Sequence, residues 1–273
     1  MSQRLHQGWN VTKRHVNIIL LYFIYQAIWG FVLYRIIDHI VSPLLLRYPK
    51  ITNSSEAMQL FWIETEFNLM KTDMIVPYIW SLAGLLLLRM MITPIIQSGM
   101  YYSLFEMSQG AERTAFRKGI AATWKPMMLV YWLKSIAILV PLVYLLRPLI
   151  FIQDPQAAFT SLLDQPGWLW IGFILWATMI SLLSYMITLG IGAKLSPVQA
   201  LLSTIKHTAR VLIIGITLTC CYLLISLPIH TLSIVWVTFI SFVLYQLLPL
   251  VRVVFKVWTI SAQYNAMGND LSQ

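Results

Sequence analysis

Ser196–Arg210 reads SPVQALLSTIKHTAR, and Val211–Ile229, directly after it, reads VLIIGITLTCCYLLISLPI. Ser196 is placed as an N-cap and Pro197 at the first helical position, which together mark a helix start. Val198, Leu201, Leu202 and Ile205 recur at helical spacing on one face, with Gln199, Ser203, Lys206, His207 and Arg210 on the other. A short helix with an apolar face and a basic polar face suits a membrane interface. The uncharged run after it is about long enough to cross a hydrocarbon core of roughly 30 Å at about 1.5 Å per residue. The two stretches together predict a surface helix feeding a spanning helix.

Working outward, five more apolar runs of spanning length appear. Spans are expected at about 16–37, 74–96, 127–150, 168–191, 211–229 and 232–254. Composition agrees: 59% of the residues are hydrophobic and 11% charged, against about 45–50% and about 25% in soluble domains. The sequence therefore predicts an all-α polytopic bundle of six transmembrane helices with interfacial amphipathic helices, forming a single integral membrane domain over 1–273. The first run is too long for a signal-peptide core and has no small-residue cleavage site, so it is expected to remain as an anchor. Gly110 is expected to break the helix that continues the second span. Pro126 is expected to turn the corner into the third span, Gln153–Gly167 to be a loop, and Pro228–Thr231 to be a short turn.

Short connections on the N-terminal side carry Arg4, Lys13, Arg14, Arg113, Arg117, Lys118, Lys125, Lys194, Lys206 and Arg210. The opposite side has Arg47, Lys50, Lys71 and Arg147. Ten against four predicts cytoplasmic N- and C-termini in a cell membrane. The net charge of +9 follows from that bias and does not point to nucleic acid. Cys220 and Cys221 lie side by side in a span and read as small apolar fillers.

Three segments share one layout: Arg4–His15, Ala115–Pro126 and Gln199–Arg210 are each short, basic and amphipathic, and each leads without a gap into an outward span. In the second, Phe116, Ile120 and Trp124 share a face at spacing four. Met91-Ile92-Thr93 and Met186-Ile187-Thr188 echo each other at the ends of the second and fourth spans. The expectation is a threefold internal repeat of amphipathic helix plus helical hairpin. With Leu201-Leu202-Ser203-Thr204-Ile205-Lys206 before the fifth span, this pattern resembles the YciC-like bacterial six-helix membrane proteins, related to the membrane domain of some glycerophosphodiester phosphodiesterases. The resemblance implies a six-helix membrane fold. It does not carry over the phosphodiesterase activity, which in that family belongs to a separate soluble barrel.

No His/Cys/Asp/Glu spacing suits a metal, and no phosphate-binding glycine loop or nucleophile elbow is present. The sequence thus points to a non-enzymatic protein without a cofactor. Costly charges within the spans carry more weight. Arg89, Lys134 and Arg252 are expected at similar depth, in the inner third of the bilayer, either each snorkelling alone to the inner headgroups or together as an anion- or lipid-binding set, with Lys256 at a span end. Arg35 and Asp38 are spaced to pair on one helix face. Arg113, Arg117, Lys118, Lys206 and Arg210 are expected on the interfacial basic helices. The function expected is binding of anionic phospholipid, or of a membrane or cytoplasmic protein partner, at the cytoplasmic leaflet. The alternative is a permease-like subunit of a transport complex.

Overall fold

The computed structural model describes residues 2–46, 63, 76–111, 115–148, 155–195, 197–235 and 239–267, at 2, 4, 40–41, 43–46, 155–156, 158–159, 197–198, 200–208, 233–235, 239–242 and 267 by their backbone alone. Eight helices form among them: α1 Ser2–Arg14, α2 Val16–Leu46, α3 Val76–Ser108, α4 Phe116–Leu145, α5 Pro155–Leu163, α6 Gly167–Gly192, α7 Pro197–Val235 and α8 Phe239–Met267. Six are long and apolar enough to cross a membrane, over Val16–His39, Val76–Ser108, Phe116–Leu145, Gly167–Gly192, Ala209–Leu232 and Val243–Ala266. Large apolar side chains such as Trp80, Tyr144, Leu175 and Leu224 stand more than half exposed along these helices. Water would penalise such a surface and hydrocarbon does not. The chain is a multi-pass membrane protein.

Several boundaries differ from the sequence expectation. Pro126 turns no corner, because α4 runs unbroken from Phe116 to Leu145 with Pro126 and Pro141 inside it. Pro228–Thr231 is not a turn either: α7 continues to Val235 with Pro228 inside it, and Thr231 donates to the Leu227 carbonyl within the helix. A proline removes one helical hydrogen bond, and membrane helices tolerate that loss where neighbouring groups re-satisfy the backbone. The expected loop 153–167 contains the short helix α5. The carboxylate of Asp38 accepts the Ser42 hydroxyl at 2.7 Å and makes no ion pair with Arg35. By contrast, α3 ends at Ser108, and Gly110 follows at φ +96°, a conformation glycine reaches without Cβ strain. The Ser196 N-cap lies outside the described residues.

The chain divides into two compact units, 20–92 and 1–19 with 93–273. In the first, α2 and the opening half of α3 approach each other at one end. There the rings of His39 and Tyr78 lie 6.2 Å apart beside a cavity of about 640 Å³ that includes Arg35 and Asp38.

The second unit has its core at one end. Buried residues fall late in α3 (Ser98–Met107), early in α4 (Gly119–Val130), late in α6 (Ser184–Gly192), early in α7 (Val211–Leu218) and late in α8 (Leu248–Ala266). Since these helices alternate in direction, all five stretches meet at the end that holds α1. Small residues permit the approach. A side chain on Gly99 would run into the Phe116 ring, and one on Gly119 into Tyr102. The apolar face of the first turns of α4 is thus spent on α3.

A separate break distinguishes the first amphipathic stretch from the others. α1 ends at Arg14, α2 starts at Val16, and the His15 N–H closes the bend on the Thr12 carbonyl at 3.2 Å. In contrast, the second and third stretches run on into α4 and α7 without interruption. α1 packs on α8: Leu5 and Trp258 cover a cluster of Ile214, Leu218, Ala262 and Ala266. Trp9 stacks obliquely on Trp258 at 4.8 Å between ring centroids.

Candidate functional site

The fifth and sixth spans place a two-sided groove at the core end of the second unit. On α7 the lining residues are Gly215, Leu218, Thr219 and Tyr222. On α8 they are Arg252, Phe255, Lys256, Thr259 and Gln263. Both sets follow three- and four-residue spacing, so each is one helix face. Gly215 leaves the room that a larger residue would fill: a Cβ there would stand 3.4 Å from the Gln263 amide nitrogen. The resulting cavity measures about 320 Å³.

A buried polar relay fixes its floor. The Tyr185 hydroxyl of α6 donates to Gln263 Oε1. Gln263 Nε2 donates to the Val211 carbonyl of α7 at 3.0 Å. Next along α8, the Tyr264 hydroxyl donates to the Leu189 carbonyl at 3.0 Å. Burying such groups unpaired would cost several kcal/mol, on the order of the penalty for an amide in an apolar medium; here they are paired and tie α6, α7 and α8 together.

Behind Gly215 lies a second cavity of about 300 Å³, which shares Tyr185, Thr219 and Gln263 and adds Leu182, Leu212, Ile216 and Cys220. The first cavity thus carries Arg252 and Lys256, and its neighbour is lined mostly by apolar side chains. The Arg252 guanidinium has no partner among the described residues. Lys134, half buried on α4, lies within Coulombic reach of Lys256.

Three residues, Arg89, Lys134 and Arg252, were expected to form one anion-binding set. Lys134 and Arg252 belong to the second unit, with Lys256 as the charge that both approach; Arg89 is exposed on α3 within the other unit. Arg117, Lys118 and Arg210 are exposed on their helices. Arg113 and the Lys206 side chain lie outside the described residues. Gln263 and Tyr185 were not singled out in the sequence. The available signal was the change at that helix end from an apolar run to Thr259, Ser261, Gln263 and Asn265 at alternate positions.

The fold and groove define a polytopic membrane protein with two cationic side chains, Arg252 and Lys256, lining a cavity of about 320 Å³. No protein-family model matches the chain, nor does any curated protein or solved structure.

Proposed function

We propose that this chain is a non-enzymatic membrane protein that binds an anionic phospholipid in the α7–α8 groove. One observation carries the reading: Arg252 and Lys256 line one cavity, and a second, more apolar cavity shares Tyr185, Gly215, Thr219 and Gln263 with it. A phospholipid has that same division, a phosphate at one end and acyl chain at the other. Arg presents a planar fork suited to phosphate oxygens, and a second cation adds to the attraction. Lys134 places a third positive charge near Lys256, and a bound anion relieves the repulsion between them. The lysine and arginine bias puts the core end, with both termini, at the cytoplasmic leaflet of the cell membrane. In this reading the resemblance to YciC-like proteins concerns the architecture alone.

The test is native mass spectrometry of protein extracted with bound lipid. The Lys134→Ala, Arg252→Ala, Lys256→Ala triple variant should lose most of the phosphatidylglycerol or cardiolipin that the parent retains. Equal retention by both would overturn the reading.

A further inference from the structure

The polar groups that line the α7–α8 groove are of two kinds, those already bonded and those left open. Gln263 accepts from the Tyr185 hydroxyl and donates to the Val211 carbonyl. The Thr259 hydroxyl donates to the Phe255 carbonyl at 2.8 Å. The Thr219 and Tyr222 hydroxyls and the Arg252 guanidinium have no hydrogen-bond partner among the described residues. All three line the cavity, Thr219 and Arg252 exposed and Tyr222 half-buried.

Thr219 differs from the other threonines of the spans. A threonine inside a membrane helix ordinarily turns its hydroxyl back onto the carbonyl four residues earlier, because hydrocarbon offers no other acceptor. Thr178, Thr188, Thr217 and Thr231 all do so. Thr219 leaves the equivalent bond to Gly215 unmade. A hydroxyl that forgoes its bond in an apolar setting is costly, and an acceptor on a ligand removes that cost.

Position decides which acceptor this is. The bond from Gln263 to Val211, and the Tyr222 ring against Phe255 at 5.8 Å between centroids, set the register of α7 on α8. Counting equal steps from that bond along the two antiparallel helices brings Arg252 level with Tyr222, and Thr219 lies about one turn away on α7. Arg252 and Tyr222 line the cationic cavity, whereas Thr219 lines both that cavity and its more apolar neighbour. Thr219 thus stands where the two meet. In a glycerophospholipid the group between phosphate and chain is the acyl ester, whose carbonyl accepts hydrogen bonds.

Given the phospholipid proposed above for this groove, we infer that the Thr219 hydroxyl donates to the carbonyl of its acyl ester and makes the site prefer ester-linked over ether-linked lipid. An ether-linked lipid has the same phosphate, glycerol and chain but lacks the carbonyl, so it leaves the hydroxyl unpaired.

The test is a competition for the full-length protein in a neutral detergent. The probes are diacyl and dialkyl phosphatidylglycerol of equal chain length, mixed in equal amounts and counted in the bound state by native mass spectrometry. The parent should hold the ester form about threefold or more over the ether form, as one hydrogen bond provides. Thr219→Val, which replaces the hydroxyl with a methyl group at nearly constant shape, should bring the two forms to parity. Thr217→Val, on the same helix with its hydroxyl already bonded, should keep the parent's preference. The Lys134→Ala, Arg252→Ala, Lys256→Ala variant should retain little of either lipid, so that failure of the lipid groove and failure of the ester contact give different results. Parity in the parent would overturn the inference. So would a preference that Thr219→Val leaves unchanged, or that Thr217→Val abolishes equally. Full retention of both lipids by the triple variant would overturn it together with the groove reading. If Thr219→Val fails to fold, Thr219→Ala decides the question.

Discussion

The indole N–H of Trp258 donates to the main-chain carbonyl of Leu5 at 2.9 Å. This bond joins the first helix to the last, and Gly8 lies one turn beyond it, so close to Ala262 that a Cβ would stand 2.8 Å from the Ala262 backbone. The backbone of α8 cannot yield as a flexible side chain would. Gly8→Val should therefore loosen α1 and destabilise the protein by about 1–3 kcal/mol, the usual range for overpacking. Thermal unfolding in detergent measures the loss. Trypsin cleavage at Lys13 or Arg14, faster in the variant than in the parent, would show that α1 has come away.

Lys194 offers a separate test of backbone strain. It has φ +66°, the left-handed region, two residues after α6 ends at Gly192. Its N–H bonds to the Ile191 carbonyl and the Leu195 N–H to the Gly190 carbonyl, the pattern of a helix end that favours glycine. The lysine is kept there by an ion pair with Glu106 and by the face of Tyr102, 5.1 Å from its ammonium. An ion pair this exposed contributes roughly 0–1 kcal/mol. Lys194→Gly gives up that pair but removes the strain, so its stability should stay near that of the parent. Lys194→Ala gives up the pair and keeps the strain, and should be less stable than Lys194→Gly by about 1 kcal/mol. Equal melting of the two variants would falsify the left-handed assignment.

The bend residue His15 predicts a pH dependence. Burial, and then the charge of Arg14, lower its pKa from the ordinary 6.5. The unfolded chain therefore takes up the proton before the folded chain does. Stability is complete above pH 6.5 and declines as the pH falls below that value toward the folded pKa. Melting temperature measured between pH 7.5 and pH 5, roughly the range where an ordinary histidine titrates, should fall for the parent. His15→Asn should flatten that part of the profile. An identical slope in both would place the titration elsewhere.

Uninterrupted apolar length made the six spans legible, because only a spanning helix needs it. The cations of the groove were legible for a related reason: Arg252 and Lys256 stand out in an apolar run, where charge is costly. Their grouping was not legible, since depth along a helix says nothing about rotation around it. The surface under α1 was equally hidden. An amphipathic pattern shows that Leu5 and Trp9 need cover, but lipid and Trp258 satisfy the same pattern. Pro228 misled because a proline beside polar residues looks like a turn in water, whereas the helix around it continues to Val235.

Gly192 and Tyr264 should prove coupled. A Cβ on Gly192 would collide with the Tyr264 hydroxyl and stand 2.8 Å from the Tyr101 Cβ. Both tyrosines are buried, Tyr264 fully. Gly192→Ala should therefore cost about 1–3 kcal/mol. Tyr264→Phe alone loses the bond to the Leu189 carbonyl, which also accepts the Ala193 N–H at 3.1 Å. The carbonyl is not orphaned, and the loss should stay near 1 kcal/mol. In the double variant the hydroxyl that obstructs the alanine methyl is gone, while the Tyr101 contact remains. Its destabilisation should then be smaller than the sum of the two single losses, by an interaction energy of about 0.5 kcal/mol or more. Thermal unfolding of the four proteins in one detergent closes this cycle. Simple additivity would mean that Tyr101 alone excludes the methyl group, and that the Tyr264 hydroxyl does not restrict position 192.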